Sequence, residues 1–474
     1  MAWGWDGVSE VFAAWGIAPG ISGAFAIIIF MISKYGVLER KDPVKAGLWM
    51  IPVYFGVTAG ICTMVIVWKG GRSLGSPSST CFFHPLISFS AASLDLDDWT
   101  TGQILGCIFG VAGGVVLVYA VFLLPFLYRR VALEDWTLKN WEVIKGPLLW
   151  FRGEVPPAPE GHEVVQDYYR GHHNPQDGPL PVESRPDIEN TNSSDEKGVI
   201  PSENAASPPT STPSSNSDPA DEKLPAHVIA KRKAFEEPLW SLPGFYGRAK
   251  YFLFRGVNRD VTAEQLGDGG EPAGFLGKYL AGNLKQIHAH TAHYNNKAEH
   301  LYSFLQVMTA AVASFAHGAN DVSNAVGPLS AIYHVWQNNE TGSKSPVPIW
   351  VLAYGGAAIS IGLWTYGYNL MRNLGNRLTL HSPSRGFSME LGAAVTVVLA
   401  TRLSLPVSTT QCITGATVGV GLCSGTWRAI NWRMIAWIYL GWIITLPCAG
   451  LISGLLMGIV LNAPRWGLIP EAAV

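Results

Sequence analysis

FAHGANDVSNAVGP, residues 315–328, decides how the rest of this chain is read. Asn320, Asp321, Ser323 and Asn324 stand in the middle of a stretch, 301–336, that is otherwise apolar and long enough to cross a bilayer. An acid at that depth costs about 2.5–3.5 kcal/mol on insertion scales, so it normally faces protein or an aqueous cavity. Gly318 before the cluster and Gly327-Pro328 after it are places where helix continuity can fail. A helix broken there is predicted to expose backbone amides at one half-helix start and carbonyls at another half-helix end. Those termini are anion and cation sites respectively. The blander alternative is polar glue between packed helices, but packing does not need an aspartate flanked by two asparagines.

The second polar island is LPVSTTQC, residues 405–412. Pro406 favours a helix start close to it, which places Ser408, Thr409 and Thr410 in the first turn. Hydroxyls and amide N–H groups there suit a tetrahedral oxyanion, and the helix dipole favours negative charge. No Lys or Arg lies within the motif, and neutral donors release an anion as readily as they bind it. Fifteen residues before Leu405, Glu390 heads the apolar run LGAAVTVVLA. It is a candidate cation or proton ligand in the membrane, with a cap at the interface beside Arg385 as the alternative.

Working outward, the chain has 474 residues, 48% hydrophobic and 14% charged, against about 25% charged in an average soluble protein. The charge is also unevenly spread: residues 129–300 hold 19 of the 33 Lys+Arg and 24 of the 35 Asp+Glu. Outside that region, charge-free runs of span length occur at 11–33, 46–68, 99–128, 345–371, 403–427 and 434–464. A bilayer core of about 30 Å needs about 20 such residues in a helix. The runs lack the alternation of barrel strands, so an all-α polytopic membrane protein is predicted. Its organisation reads as membrane helices over 1–128, a hydrophilic cytoplasmic loop over 129–300, and membrane helices carrying both motifs over 301–474. Lys34, Arg40, Lys41 and Lys45, and then Arg129, Arg130, Lys139 and Lys145, mark the cytoplasmic side. Segment 69–102 and the Asn339-Glu340-Thr341 sequon are then external.

Residues 155–226 are dense in Pro, Ser, Asn, Asp and Glu and are expected to be disordered. AFEEPLWSLPGFYGRAKYFLFRG, within 231–300, reads either as a stretch lying on the inner membrane face or as a helix packed on the spans. Of His288, His290, His293 and His300, only 290 and 293 have metal-ligand spacing, with no Cys or carboxylate beside them, so a solvated helix is the better reading. The six cysteines show no CxxC spacing and fall mostly in apolar runs, which indicates neither a disulfide framework nor a zinc site. The net charge of −2 and the lack of a basic stripe argue against nucleic-acid binding. The first ten residues lack the basic region of a cleaved signal peptide. Gly415–Gly419 and Gly450, Gly454 and Gly458 are expected to form close-packing faces.

HGANDVSNAVGPL and LPVSTTQCITGATVGVGL resemble the paired signatures of the PiT-type inorganic phosphate transporters, and SMELGAAVTVVLA precedes the second as it does in that family. The resemblance covers nearly the whole chain outside 155–226. It implies an inverted-repeat transporter with broken helices, moving phosphate with sodium, or with protons in some members. It also implies that Asn320, Ser408, Thr409 and Thr410 hold phosphate, and that Asp321, Asn324 and Glu390 serve the cation. The chain has one copy of each signature, worded like the family's second half, so the first repeat is expected to be incomplete at the N-terminus.

The leading expectation is therefore a cation-coupled, sodium-using phosphate symporter of the plasma membrane. Its partners are phosphate, sodium or protons and lipid, with no cofactor and no resident metal; a homo-oligomer is left open. The alternative is a non-transporting membrane subunit or remnant with an incomplete site. A hydrolase built on Ser408 is disfavoured, because no G-x-S-G or H-E-x-x-H pattern is present and His317 is the only imidazole beside a motif.

Overall fold

Apolar sequence in a bilayer must satisfy its backbone internally, and a helix does so within one segment. The computed structural model describes residues 8–70, 100–157, 159, 164–169, 235, 238, 241–254, 284–339, 347–375, 377–402 and 407–462, and among these it is helical without a named strand. The helices are α1 (Val8–Ser33), α2 (Pro43–Gly70), α3 (Thr101–Val118), α4 (Leu242–Phe254), α5 (Leu284–His288), α6 (Asn296–Asn338), α7 (Ile349–Leu374), α8 (Pro383–Arg402), α9 (Thr409–Ser424) and α10 (Trp432–Asn462). Among the described residues, five helical stretches are long and apolar enough to cross a membrane: Phe12–Leu38, Pro43–Met64, Thr101–Ala132, Ile349–Tyr368 and Trp432–Asn462.

Local chemistry sets the helix ends. Thr100 and Gln103 form a reciprocal capping box at the start of α3. The Asn295 side chain accepts from the amides of Lys297 and Ala298 at the start of α6, and Asn339 closes that helix in the left-handed conformation at φ 51°.

The core is an interlock of α1, α8 and α9, with α6 against α8, then α2 against α6, and α3 on α2. Small residues make the interlock possible. A Cβ on Gly415 would lie 2.2 Å from the Pro19 carbonyl oxygen and 2.5 Å from its Cα, and one on Gly392 would lie 2.8 Å from the Ala26 Cα. Where α1, α2, α6 and α8 meet, Tyr54, Tyr302 and Phe387 form an aromatic trio with centroids 5.1–6.2 Å apart.

The basic clusters that set orientation in the sequence collect at one end of this bundle. There Lys34 Nζ donates to the Cys423 carbonyl at 3.2 Å, Lys297 pairs with Glu134, and buried Arg385 donates to the Ala292 carbonyl. Glu299, in the first turn of α6, accepts from the Ser384 amide and hydroxyl, both at 2.8 Å, so it caps the start of α8. The amide of Ala292 donates to the Ser424 carbonyl at the end of α9. Helices α8 and α9 therefore enter and leave from the same end. Within the run 403–427, residues Thr409–Ser424 thus form the return limb that runs antiparallel to α8.

Other expectations are corrected too. Helix α6 runs unbroken through Gly318 and Gly327-Pro328: one proline removes one amide donor, and membrane helices absorb that loss through local adjustments and neighbouring groups. The interruption occurs instead between α8 and α9. Gly415 and Gly419 do form a close-packing face against α1, but a Cβ on Gly450, Gly454 or Gly458 would meet nothing within 4 Å, so that stripe packs against no described residue.

The aromatic–basic stretch forms α4, which lies along α7: Trp364 Nε1 donates to the Leu253 carbonyl and its ring meets Phe254 edge-on. Within 155–226, Asp167, Tyr168 and Tyr169 dock on the base of α6. Asn296 bonds Asp167 and the Tyr168 amide, while the Tyr169 hydroxyl donates to Glu299. Tyr169 also stacks on His293 at 4.3 Å. Burial, and secondarily Arg130, lower His300 to about 4, so it is neutral at pH 7 beside the Tyr168 hydroxyl, 2.9 Å away. These contacts engage His293 and His300. Residues 158, 160–163 and 170–226 of the loop expected to be disordered, and segment 71–99, lie outside the described residues.

Candidate solute-binding site

The two polar islands meet. Asn320 Nδ2, on α6, donates to the Val407 carbonyl at 3.0 Å, joining residues 87 apart in sequence. Val407 and Ser408 are the described residues of the gap between α8 and α9. Ser408 is extended, at φ −91° and ψ 126°, and occupies the position before the first helical residue of α9 without closing the cap with its own hydroxyl. The Cys412 amide returns to the Ser408 carbonyl at 3.1 Å, so α9 is fully wound from its first turn. Thr409 is buried and Thr410 half-buried in that turn.

A helix start leaves its first amides without intrahelical acceptors and carries partial positive charge. Here that start lies next to Asn320 at the tip of a hairpin of about 24 Å, the length of a 16-residue α9. Neutral donors presented there can bind an anion without fixing it permanently.

Asp321 and Asn324 sit on the helical backbone of α6 directly after Asn320, and their side chains lie outside the described residues, as does that of Ser323. Glu390 is placed differently. It is twelve residues before the end of α8, about 18 Å along that helix, so it does not share the level of Asn320 and Ser408. Its carboxylate accepts from Thr309 on α6 at 2.6 Å, and Arg385 bonds Ser382 and Ala292 instead.

The fully buried Thr309 hydroxyl was not legible in the sequence, where a lone threonine in an apolar helix normally back-bonds to its own turn.

Asn320→Ala removes the donor that ties α6 to the gap. The expected loss is about 1–3 kcal/mol of stability, read as a lower melting temperature of the detergent-solubilised protein. A variant that melts with the parent would show that the bond does not hold the two motifs together.

Comparison with known proteins agrees in kind. The model of the phosphate transporter family matches residues 1–453. The phosphate-repressible phosphate permease pho-4 of Neurospora crassa is 48% identical over 480 residues, covering 98% of this chain and 75% of that protein. Sodium-dependent phosphate transporter 1-B of Danio rerio is 27% identical over 544 residues, covering 96% and 76%. A solved structure, the sodium-dependent phosphate transporter, aligns with a TM-score of 0.48 at 16% identity, covering 96% of this chain and 66% of that one.

Proposed function

The chain belongs to the phosphate transporter family, and from that premise we propose that it carries inorganic phosphate across the plasma membrane together with sodium. It is a multi-pass membrane protein and a transporter, not an enzyme. Phosphate is held by Asn320 and by the amides and hydroxyls of Ser408, Thr409 and Thr410. Asp321 and Asn324 hold the cation that offsets its charge, and Glu390 holds a second cation or a proton at the level of Thr309. The observation that carries this reading is the Asn320–Val407 bond, which sets the acidic motif of α6 against the start of α9.

Alternating access then amounts to rocking of the α8–α9 hairpin, with α1 wedged into it, against α6. Because α8 is capped by Glu299 of α6, the hinge lies at the basic end and the gap has the larger travel.

The test is uptake of labelled phosphate by cells that lack their own high-affinity uptake, with sodium replaced by choline over a range of pH. Uptake is expected to collapse in choline at every pH. Uptake unchanged by the replacement removes sodium, and uptake that follows pH alone assigns the coupling to protons. No uptake at normal surface abundance restores the reading of a non-transporting subunit.

A further inference from the structure

After Arg129 and Arg130 the sequence turns hydrophilic, and residues 129–300 read as one solvated loop. The structure separates residues 139–152 from that loop. Arg130 donates to the Leu138 carbonyl at 2.9 Å where the segment begins. Arg129 donates to the carbonyls of Leu149 at 3.1 Å, Arg152 at 2.5 Å and Gly153 at 2.6 Å where it ends. Both ends therefore stand level with the two arginines that close the third span.

The middle does not stand at that level. Gly146, at φ +46°, lies against Phe122: a Cβ there would be 2.7 Å from the Phe122 ring and 3.2 Å from the Val121 carbonyl. Trp150 packs on Tyr128 with centroids 5.3 Å apart. Phe122 precedes Arg129 by seven helical residues, which is about 10 Å of descent. The chain thus leaves the span, turns, comes back down beside residues 119–128 and rises again. Gly146 supplies the positive φ at the lowest point, and Pro147 follows it.

The outer surface of this dip is apolar. Ile144 is 77% exposed, Leu148 70% and Phe151 88%, with Trp141 also exposed. That surface continues the exposed face formed by Phe109, Leu117 and Val118 of α3 and by Phe122 just beyond its end. The charges inside the dip are matched: Glu142 accepts from Lys145 and, at 3.2 Å, from Arg152, and the Lys145 ammonium lies 4.9 Å from the Trp141 ring centroid. Unpaired charge would be costly below the headgroups, whereas a paired carboxylate beside a tryptophan suits the interface.

We propose that residues 139–152 form a re-entrant hairpin whose tip, Ile144–Leu148, is inserted among the acyl chains of the cytoplasmic leaflet, anchored at its rim by Arg129 and Arg130. The occupant of the apolar face is lipid. Depth below the arginine level, continuity with the lipid-facing side of α3 and internal pairing of Glu142 and Lys145 all select it over an aqueous partner.

The experiment places an environment-sensitive fluorescent residue at Ile144, Leu148 or Phe151, and separately at Glu134 as a control, in the full chain. Each protein is reconstituted in vesicles of phosphatidylcholine with a minority of phosphatidylserine. Acyl-brominated phosphatidylcholine is expected to quench positions 144, 148 and 151 at least about twofold more than aqueous iodide does, with the order reversed at 134. Iodide quenching at 144, 148 and 151 equal to that at 134 would put the segment in water and overturn the proposal. Quenching by neither agent would show a protein cover, which overturns it equally.

Discussion

Asp321→Asn is expected to reduce phosphate uptake to background while surface abundance stays at the level of the parent protein. Asparagine has nearly the same volume as aspartate, and the α6 backbone is continuous through this position, so the exchange deletes charge with little change of shape. A carboxylate at this depth costs about 2.5–3.5 kcal/mol, and its removal relieves folding of that cost rather than adding to it. In the proposed role of Asp321, what is lost is the negative charge that retains a cation beside phosphate, without which the anion crosses a slab of low dielectric unaccompanied. Labelled phosphate uptake normalised to surface-biotinylated protein is the measurement. Uptake at the parental rate would remove Asp321 from the site, and a parallel fall in surface protein would make it a structural residue.

Gly415→Val is expected to have the opposite signature, with protein lost rather than activity per molecule. A Cβ at this position falls 2.2–2.6 Å from three backbone atoms of Pro19, and backbone cannot turn aside as a side-chain tip can. Overpacking typically costs about 1–3 kcal/mol, and the approach to a carbonyl and a Cα places this one at the upper end. Neighbouring Gly419 has the same relation to Gly23, so α1 cannot slide one turn to escape. The readouts are surface abundance and the melting temperature in detergent, with Gly450→Val, which enters open space, as the control that leaves both unchanged. Equal behaviour of the two variants would mean that α1 is not seated between α8 and α9.

The sequence reading reached the helical class, the basic end and the pairing of the two motifs, because each rests on local chemistry: apolar length, positive charge, and polar groups where lipid should be. It misjudged helix continuity. Gly318 and Pro328 are permissive residues, and permission to break is not a force that breaks; neighbouring helices decide. It also could not show how α9 returns, since 403–427 has the composition of a span and only the contacts of Ser384 and Ser424 at one end reveal that α8 and α9 run antiparallel. The docking of Asp167–Tyr169 and the Thr309–Glu390 bond were hidden for the same reason: their partners are 81 to 132 residues away. Glu390 was grouped with Asp321 and Asn324 as a cation ligand, and the rise of α8 puts it about 18 Å along that helix from the gap where Asn320 meets Val407.

The seat of α1 carries a cost in time. Its flanking helices α8 and α9 precede only α10 among the described helices named above, so after α1 is made roughly 400 residues must still be synthesised before its groove exists, about 20–80 s at 5–20 residues per second. Through that interval the backbone of Pro19 and Gly23 lacks the glycine face of α9 that covers it in the folded protein.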